Sequence, residues 1–114
     1  MIKIYHNPRC SKSRQGLQLL EDSNQEFEII KYLDHPLSKA QLLDIIKLLD
    51  IKPMELVRKN EAIWKENYKT KTLTDNQIID ALVAYPKLIE RPIVVNNNNK
   101  AVIGRPTELI QTIL

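Results

Sequence analysis

The chain is poor in the residues that crosslink small proteins or anchor them in membranes. Its 114 residues include a single cysteine, which excludes an internal disulfide. No apolar run approaches the roughly 18 residues that cross a bilayer, and charged and polar residues interrupt the N-terminus from Lys3 onward, unlike a signal peptide. We therefore expect one cytoplasmic domain, residues 1–114, that buries a single hydrophobic core and makes no membrane contact.

Aromatic and metal-binding residues are also scarce. One Trp and one Phe provide no stacking platform for bases, and acidic residues accompany the basic ones along the chain, so a net charge of +3 does not predict nucleic-acid binding. One cysteine and two separated histidines, His6 and His35, lack the spacing of a zinc site. We expect neither a metal nor a bound cofactor. The slight excess of positive charge fits a basic pocket for a small anion.

The pattern of apolar residues predicts an α/β fold. Strand-like runs occupy residues 2–5, 27–32, 92–95 and 100–103, and a helical stretch separates the first two. A βαβ unit followed by a hairpin predicts a mixed four-stranded sheet flanked by helices, with the first two strands parallel. The asparagine run 96–99 predicts the hairpin loop.

The remaining helices carry clear start signals. Ser38 with Gln41, and Thr74 with Gln77, have the form of a capping box. The helices that they open belong to an all-helical insertion, residues 37–86, between the second and third strands. A last helix begins near residue 106, and we expect Leu109 on its buried side together with Ile110 and Ile113.

Cys10 stands where the first strand gives way to the first helix. Unpaired backbone N–H groups in the first turn carry partial positive charge, and Arg9, Lys12 and Arg14 add full charges nearby. Both effects favour the thiolate, which is the nucleophilic form. Free cysteine is often a small buried hydrophobe, but the polar neighbours of Cys10 are poor core residues. The sequence therefore predicts a reactive cysteine.

Cys10 and Ser13 form a Cys-x-x-Ser pattern without a second sulfur. A modified Cys10 must then be released by an outside thiol, such as glutathione or a partner redox protein. The Ser13 hydroxyl either donates a hydrogen bond to the thiolate or satisfies a backbone group of the first helical turn. His6 either lowers the thiol pKa as an imidazolium or organises the loop as a neutral ring. The residues alone leave both alternatives open.

Three arginines stand out by context: Arg58, Arg91 and Arg105. The last two precede a proline, which favours extended backbone at the arginine. The planar guanidinium group suits tetrahedral oxyanions. Each arginine could equally be a solvated surface charge or pair with a neighbouring glutamate, and the residues alone do not choose.

Four ordered motifs span nearly the whole chain: Tyr5-His6-Asn7-Pro8-x-Cys10-x-x-Ser13-Arg14, Val57-Arg58-Lys59-Asn60, Arg91-Pro92-Ile93-Val94-Val95 and Arg105-Pro106-Thr107-Glu108. In these motifs the chain resembles the arsenate reductase family with the thioredoxin fold, of the type coupled to glutathione and glutaredoxin. The resemblance implies a thioredoxin-like sheet with the helical insertion described above.

The same resemblance implies a chemical role for each matching residue. Cys10 would attack arsenate, and glutathione and glutaredoxin would reduce the adduct and release arsenite. Arg58, Arg91 and Arg105 would bind the oxyanion and keep Cys10 ionised. Pro92 matches the proline of thioredoxin folds that faces the cysteine and is expected to be cis. We further expect a monomer.

Two alternatives to an arsenate reductase remain. One is a monothiol, glutathione-linked redox protein of the same fold with another substrate. The other is a thioredoxin-fold transcription regulator that contacts RNA polymerase, although such proteins use a Cys-x-x-Cys switch that Ser13 interrupts. The cysteine loop also departs from the family pattern, because Arg9, Ser11 and Lys12 replace small neutral residues and make it more basic.

Overall fold

The computed structural model describes residues 1–114, which form two compact units. The first unit combines residues 1–35 with 91–114, and the second comprises residues 36–90. The elements of the first unit are β1 (Ile2–Tyr5), α1 (Ser11–Asp22), β2 (Phe27–Ile30), β3 (Ile93–Val95), β4 (Ala101–Ile103) and a 3₁₀ helix (Thr107–Ile113). The second unit contains α2 (Lys39–Leu49), α3 (Ala62–Asn67), α4 (Asp75–Ala84) and two 3₁₀ helices (Pro53–Leu56 and Pro86–Leu88).

The four strands form one sheet in the order β2-β1-β3-β4. Strand β1 pairs with β2 in parallel, whereas the β1–β3 and β3–β4 pairs are antiparallel. The central register places Ile4 opposite Val94 and Val94 opposite Val102. The predicted mixed sheet with flanking helices is confirmed.

The core of the first unit lies on one face of this sheet. Ile2 and Ile4 alternate with the exposed Lys3 and point to the same side, as the two-residue period of a strand requires. Leu20 from α1 and Ile110 from the C-terminal 3₁₀ helix complete the buried cluster with Val94. Burial of these side chains fixes α1 against the sheet, so Cys10, which precedes α1, lies beyond the carboxyl end of β1.

Both predicted capping boxes are present in the second unit. Ser38 Oγ accepts a hydrogen bond from the Gln41 backbone N–H at 3.2 Å, and the Gln41 side chain accepts one from Ser38 N–H at 2.8 Å. Thr74 and Gln77 make the same reciprocal pair. The capped helices α2 and α4 pack against each other. The insertion predicted at 37–86 lies within this unit.

The C-terminal helix differs from its prediction. It is a 3₁₀ helix, in which residues three apart are in line, so Ile110 and Ile113 contact the core while Leu109 is 40% exposed. The expectation that Leu109 is buried was therefore wrong. No helix in the molecule combines the length and the apolar character that crossing a bilayer requires.

The two glycines of the chain have the same neighbours. Neither has a positive φ, so neither is needed for a left-handed turn. A Cβ on Gly16 would lie 2.8 Å from Pro92 Cγ and 3.1 Å from Ile110 Cδ1, and one on Gly104 would lie 2.9 Å from both atoms. The missing side chains therefore let α1 and the residue after β4 approach the ring of Pro92 closely.

We predict that Gly16→Ala destabilises the protein. Alanine favours an α-helix by about 1 kcal/mol over glycine, but overpacking a filled site costs about 1–3 kcal/mol, and the proline ring cannot rotate away. Urea denaturation should show a net loss of unfolding free energy. Gln18→Ala, on the exposed side of the same helix, is the control and should change stability by less than about 0.5 kcal/mol. A Gly16→Ala protein as stable as the parent would contradict this packing.

Candidate functional site

Cys10 occupies the N-cap position of α1. Its backbone is extended, with φ −93° and ψ 124°. Its N–H donates to the Asn7 carbonyl at 3.0 Å, and its carbonyl accepts from Arg14 N–H at 3.0 Å. The residue is partly exposed. The sulfur therefore sits at the positive end of a helix and is accessible to a reactant from solvent.

Arg105 reaches this sulfur from the other end of the chain. One of its terminal nitrogens, Nη2, donates to Cys10 Sγ at 3.3 Å, across 95 positions of sequence. Its Nε donates to the backbone carbonyl of Arg91 at 2.8 Å, which fixes the plane of the guanidinium group. This second bond ties Arg105 to the segment that carries the next arginine of the site.

Arg91 is only 7% exposed, and its side chain is one of the groups that lower the pKa of Cys10. It precedes Pro92 through a cis peptide bond. The Pro92 carbonyl accepts a hydrogen bond from Gly104 N–H at 2.8 Å, which joins the segments of the two arginines. The Arg105–Pro106 bond is also cis, which no feature of the sequence predicts. Cys10, Arg91 and Arg105 thus meet at one place.

The surroundings of Cys10 favour its thiolate. Burial is the largest single influence and raises the pKa of the thiol, but the other influences together outweigh it. Hydrogen bonds from the backbone of Ser13 and Lys12 and from the Arg91 side chain lower the pKa, as does the charge of Arg105. The net result is a Cys10 pKa below its ordinary value.

Ser13 organises the loop through its hydroxyl group. The side chain is fully buried. Its Oγ lies 2.7 Å from His6 Nδ1 and accepts a hydrogen bond from Asn7 N–H at 3.0 Å. The Asn7 side chain in turn accepts from Arg9 N–H at 3.0 Å. The Ser13 hydroxyl is therefore engaged with His6 and Asn7 of the loop and not with the thiolate. It is the backbone N–H of Ser13 that lowers the pKa of Cys10.

His6 is 4% exposed and acts as a neutral ring. Burial lowers the pKa of His6 most, and the charges of Lys31 and Arg14 lower it further, whereas a hydrogen bond to the Ser13 backbone raises it. His6 Nδ1 and the Asn7 N–H both lie within hydrogen-bond distance of Ser13 Oγ, so the hydroxyl ties the ring to the loop. His6 therefore holds the loop and supplies no charge to the thiolate.

Arg14 has a role that the sequence did not reveal. Its Nη1 donates to the Pro8 carbonyl at 2.9 Å and closes the loop from the helix side. Asn7 also shapes the loop, because its side chain bonds the backbone two residues on, as asparagine commonly does, here at Arg9. These two contacts shape the path between β1 and Cys10.

Arg58 belongs to the second unit. Its Nε lies 3.4 Å from Glu61 Oε1 and 4.0 Å from Glu90 Oε1, and the adjacent Val57 forms an isolated β-bridge with Ile89. Arg58 is thus part of a local ion-pair network. Its place among the oxyanion-binding residues stays a prediction.

The assembled site has the elements of nucleophilic chemistry on an anion. A thiol of lowered pKa is the nucleophile, Arg105 donates a hydrogen bond to it, and Arg91 also lowers its pKa, so positive charge lies where an oxyanion must approach the sulfur. No three His, Cys, Asp or Glu side chains lie together as metal ligands would.

Comparison with known proteins places the chain in a family. The model of the ArsC family matches residues 5–113. The protein YfgD of Escherichia coli K12, described as uncharacterized, is 47% identical over 99% of this chain and 96% of its own length. An arsenate reductase from Neisseria meningitidis serogroup B is 41% identical over 99% of this chain and 97% of its own length.

Solved structures agree with this assignment. That of an arsenate reductase from Vibrio cholerae is 41% identical and matches with a TM-score of 0.93, covering 99% of this chain and 97% of the other. The thioredoxin-like fold implied by the sequence motifs is thereby confirmed. On the family match, the full-length relatives and the shared fold, the chain belongs to the ArsC family.

Proposed function

We propose that this protein reduces arsenate to arsenite with Cys10 as its nucleophile and outside thiols as its source of electrons. The observation that carries the proposal is the 3.3 Å hydrogen bond from Arg105 to Cys10 Sγ, because it unites a nucleophile with an anion-binding group. Relatives at about 40% identity that are named arsenate reductases support the choice of substrate.

Binding comes first in the proposed reaction. Arsenate is a tetrahedral oxyanion, for which guanidinium groups are well-suited donors. Arg105 contacts the sulfur itself and Arg91 lowers its pKa, so an oxyanion that they hold lies within reach of the nucleophile. Arg58 is the third member of the proposed clamp, and Pro92 positions Arg91 from the adjacent residue.

The covalent step then joins sulfur to arsenic. The Cys10 thiolate attacks the arsenic atom, an arsenic–sulfur bond forms, and one arsenic–oxygen bond breaks. The departing hydroxide takes up a proton and leaves as water. The two guanidinium groups stabilise negative charge on the sulfur before attack and on the arsenate oxygens as the bond forms.

Reduction of arsenate requires two electrons. Two thiols supply them by forming a disulfide, which the single cysteine of this chain cannot do alone. In the overall balance, one arsenic acid and two outside thiols give one arsenous acid, one disulfide and one water. Arsenic gains the electron pair that the two thiols lose, and Cys10 returns to its thiol form. Glutathione and glutaredoxin are the proposed thiols.

The first test is arsenate reduction by the purified protein with glutathione and glutaredoxin, followed as arsenite formed. We expect turnover that stops when the thiols are omitted. Cys10→Ser should abolish it because a serine hydroxyl is not ionised near neutral pH. Ser11→Ala, which changes the exposed neighbour, is the matched control and should remain active. Turnover by Cys10→Ser at the parental rate would rule out the mechanism.

Disulfide exchange without arsenate separates this function from the monothiol alternative. If Cys10 exchanges with glutathione disulfide at a catalytic rate while arsenate is never converted, the protein is a monothiol redox enzyme of the same fold. Intact-protein mass spectrometry distinguishes the two outcomes, since a glutathione adduct and an arsenic adduct differ in mass.

A second prediction concerns Arg105. Loss of a hydrogen bond to a charged group costs about 1.5–3 kcal/mol, so Arg105→Gln should lower kcat/KM for arsenate about tenfold to hundredfold. Steady-state kinetics at several arsenate concentrations provide the measurement. Lys100→Gln removes a positive charge from an exposed site in the hairpin of the same unit and should have little effect. Equal losses in both variants would mean that overall charge, not the contact with Cys10, is responsible.

A further inference from the structure

Charge is segregated in the part of the chain that builds the cysteine site. Residues 1–20 and 91–107 supply Cys10, Arg91 and Arg105, and neither segment contains an aspartate or a glutamate. Both segments also hold further basic residues: Lys3, Arg9, Lys12, Arg14 and Lys100. The expectation that acidic residues accompany basic ones along the chain overlooked these segments. The two segments that supply the site therefore carry formal charge of one sign only, which is positive.

Two of these cations flank Cys10 in the sequence and are exposed to solvent. Arg9 and Lys12 are exposed, and neither takes part in an ion pair with a carboxylate. The first turn of α1 contains no acidic residue that could neutralise them. Arg14 differs, because its guanidinium group holds the Pro8 carbonyl. We call Arg9 and Lys12 the cationic rim.

The shift of the Cys10 pKa has other causes than the side chains of the cationic rim. The groups that lower the Cys10 pKa are the backbone of Ser13 and Lys12 and the side chains of Arg91 and Arg105. Neither the guanidinium group of Arg9 nor the ammonium group of Lys12 is among them. Their charges are instead available to a molecule that arrives from solvent.

The reaction requires such a molecule. Cys10 is the only cysteine and is partly exposed, so the thiol that resolves its arsenic adduct must come from solvent. Arginine binds a carboxylate through two parallel hydrogen bonds, and lysine offers a compact second charge. The cationic rim is therefore suited to a thiol that carries carboxylates.

We propose that Arg9 and Lys12 select the outside thiol by binding its carboxylate groups, so that anionic thiols react in preference to neutral or cationic ones. The proposal rests on the proposed function, in which this thiol adds to the arsenic of the Cys10 adduct. In that step a bond forms between thiol sulfur and arsenic, and a hydroxyl group leaves arsenic with the thiol proton as water. A second thiol then takes the first as a disulfide, and the electron pair of the broken bond stays on arsenic. Water finally displaces Cys10 from this arsenic(III), which restores the thiol and releases arsenous acid.

The test uses aromatic disulfides and needs no arsenate. The Cys10 thiolate attacks one sulfur, forms a mixed disulfide and releases an aromatic thiolate whose absorbance is recorded. Dithiobis(nitrobenzoate) carries two carboxylates, whereas dithiodipyridine is neutral. In the parent protein, added salt should slow the dicarboxylate reaction and leave the neutral one unchanged.

The informative variant replaces both rim residues, Arg9→Gln with Lys12→Gln. We expect the ratio of the dicarboxylate rate to the neutral rate to fall about tenfold, because electrostatic steering of that order is lost. The matched control, Lys3→Gln with Lys100→Gln, removes the same charge from exposed positions outside the cysteine loop and should keep the parental ratio.

Two results would overturn the proposal. An unchanged ratio of dicarboxylate to neutral rate in the rim variant would show that Arg9 and Lys12 do not select reactants by charge. An equal fall in the control would assign the preference to net charge. If arsenate is never reduced but the ratio falls as expected, the proposed function fails while the rim stands. If arsenate is reduced but the ratio in the rim variant is unchanged, the proposed function stands and the proposal for the cationic rim fails.

Discussion

The contact between the Arg105 guanidinium group and the Cys10 sulfur depends on most of the first unit. The two residues are 95 positions apart and meet only because β3 and β4 add to the sheet beside β1. Cys10 is placed by the turn from β1 into α1, and Arg105 by the residue after β4. An error in strand order or register would separate the charge from the sulfur.

Packing around Pro92 converts this topology into a precise site. Gly16 and Gly104 leave the space that the proline ring occupies, and Ile110 closes the cluster from the C-terminal 3₁₀ helix. Gly104 also donates its N–H to the Pro92 carbonyl. Arg91 and Arg105 are the neighbours of these two residues, so the same contacts that fill the core set the positions of the guanidinium groups.

Local signals in the sequence predicted much of this architecture. The strands follow from alternating and β-branched residues, and the helices α2 and α4 from capping boxes, which depend on residues three apart. The asparagine loop was also predictable, and Asn99 has the positive φ, 59°, that asparagine tolerates. The six-residue helix α3 is too short to show a period and was missed.

The site was harder to predict because its contacts are long-range or depend on exact geometry. Residue types alone did not choose between a salt bridge and an oxyanion clamp for Arg105; only the resemblance of motifs favoured the clamp. The lowered pKa of His6 follows mainly from its burial, which is not visible in the sequence. The absence of acidic residues from segments 1–20 and 91–107, by contrast, can be seen in the sequence. Its significance for the site depends on the fold, which brings the two segments together.

The most direct test of this account is a titration of the Cys10 thiolate by its ultraviolet absorbance, in the native protein and in urea. The folded environment lowers the thiol pKa, so the native thiolate should form at a lower pH than the unfolded one, and Arg105→Gln should move the native midpoint upward. A native midpoint at or above that of the unfolded chain would contradict the claim that the folded protein stabilises the Cys10 thiolate through its arginines.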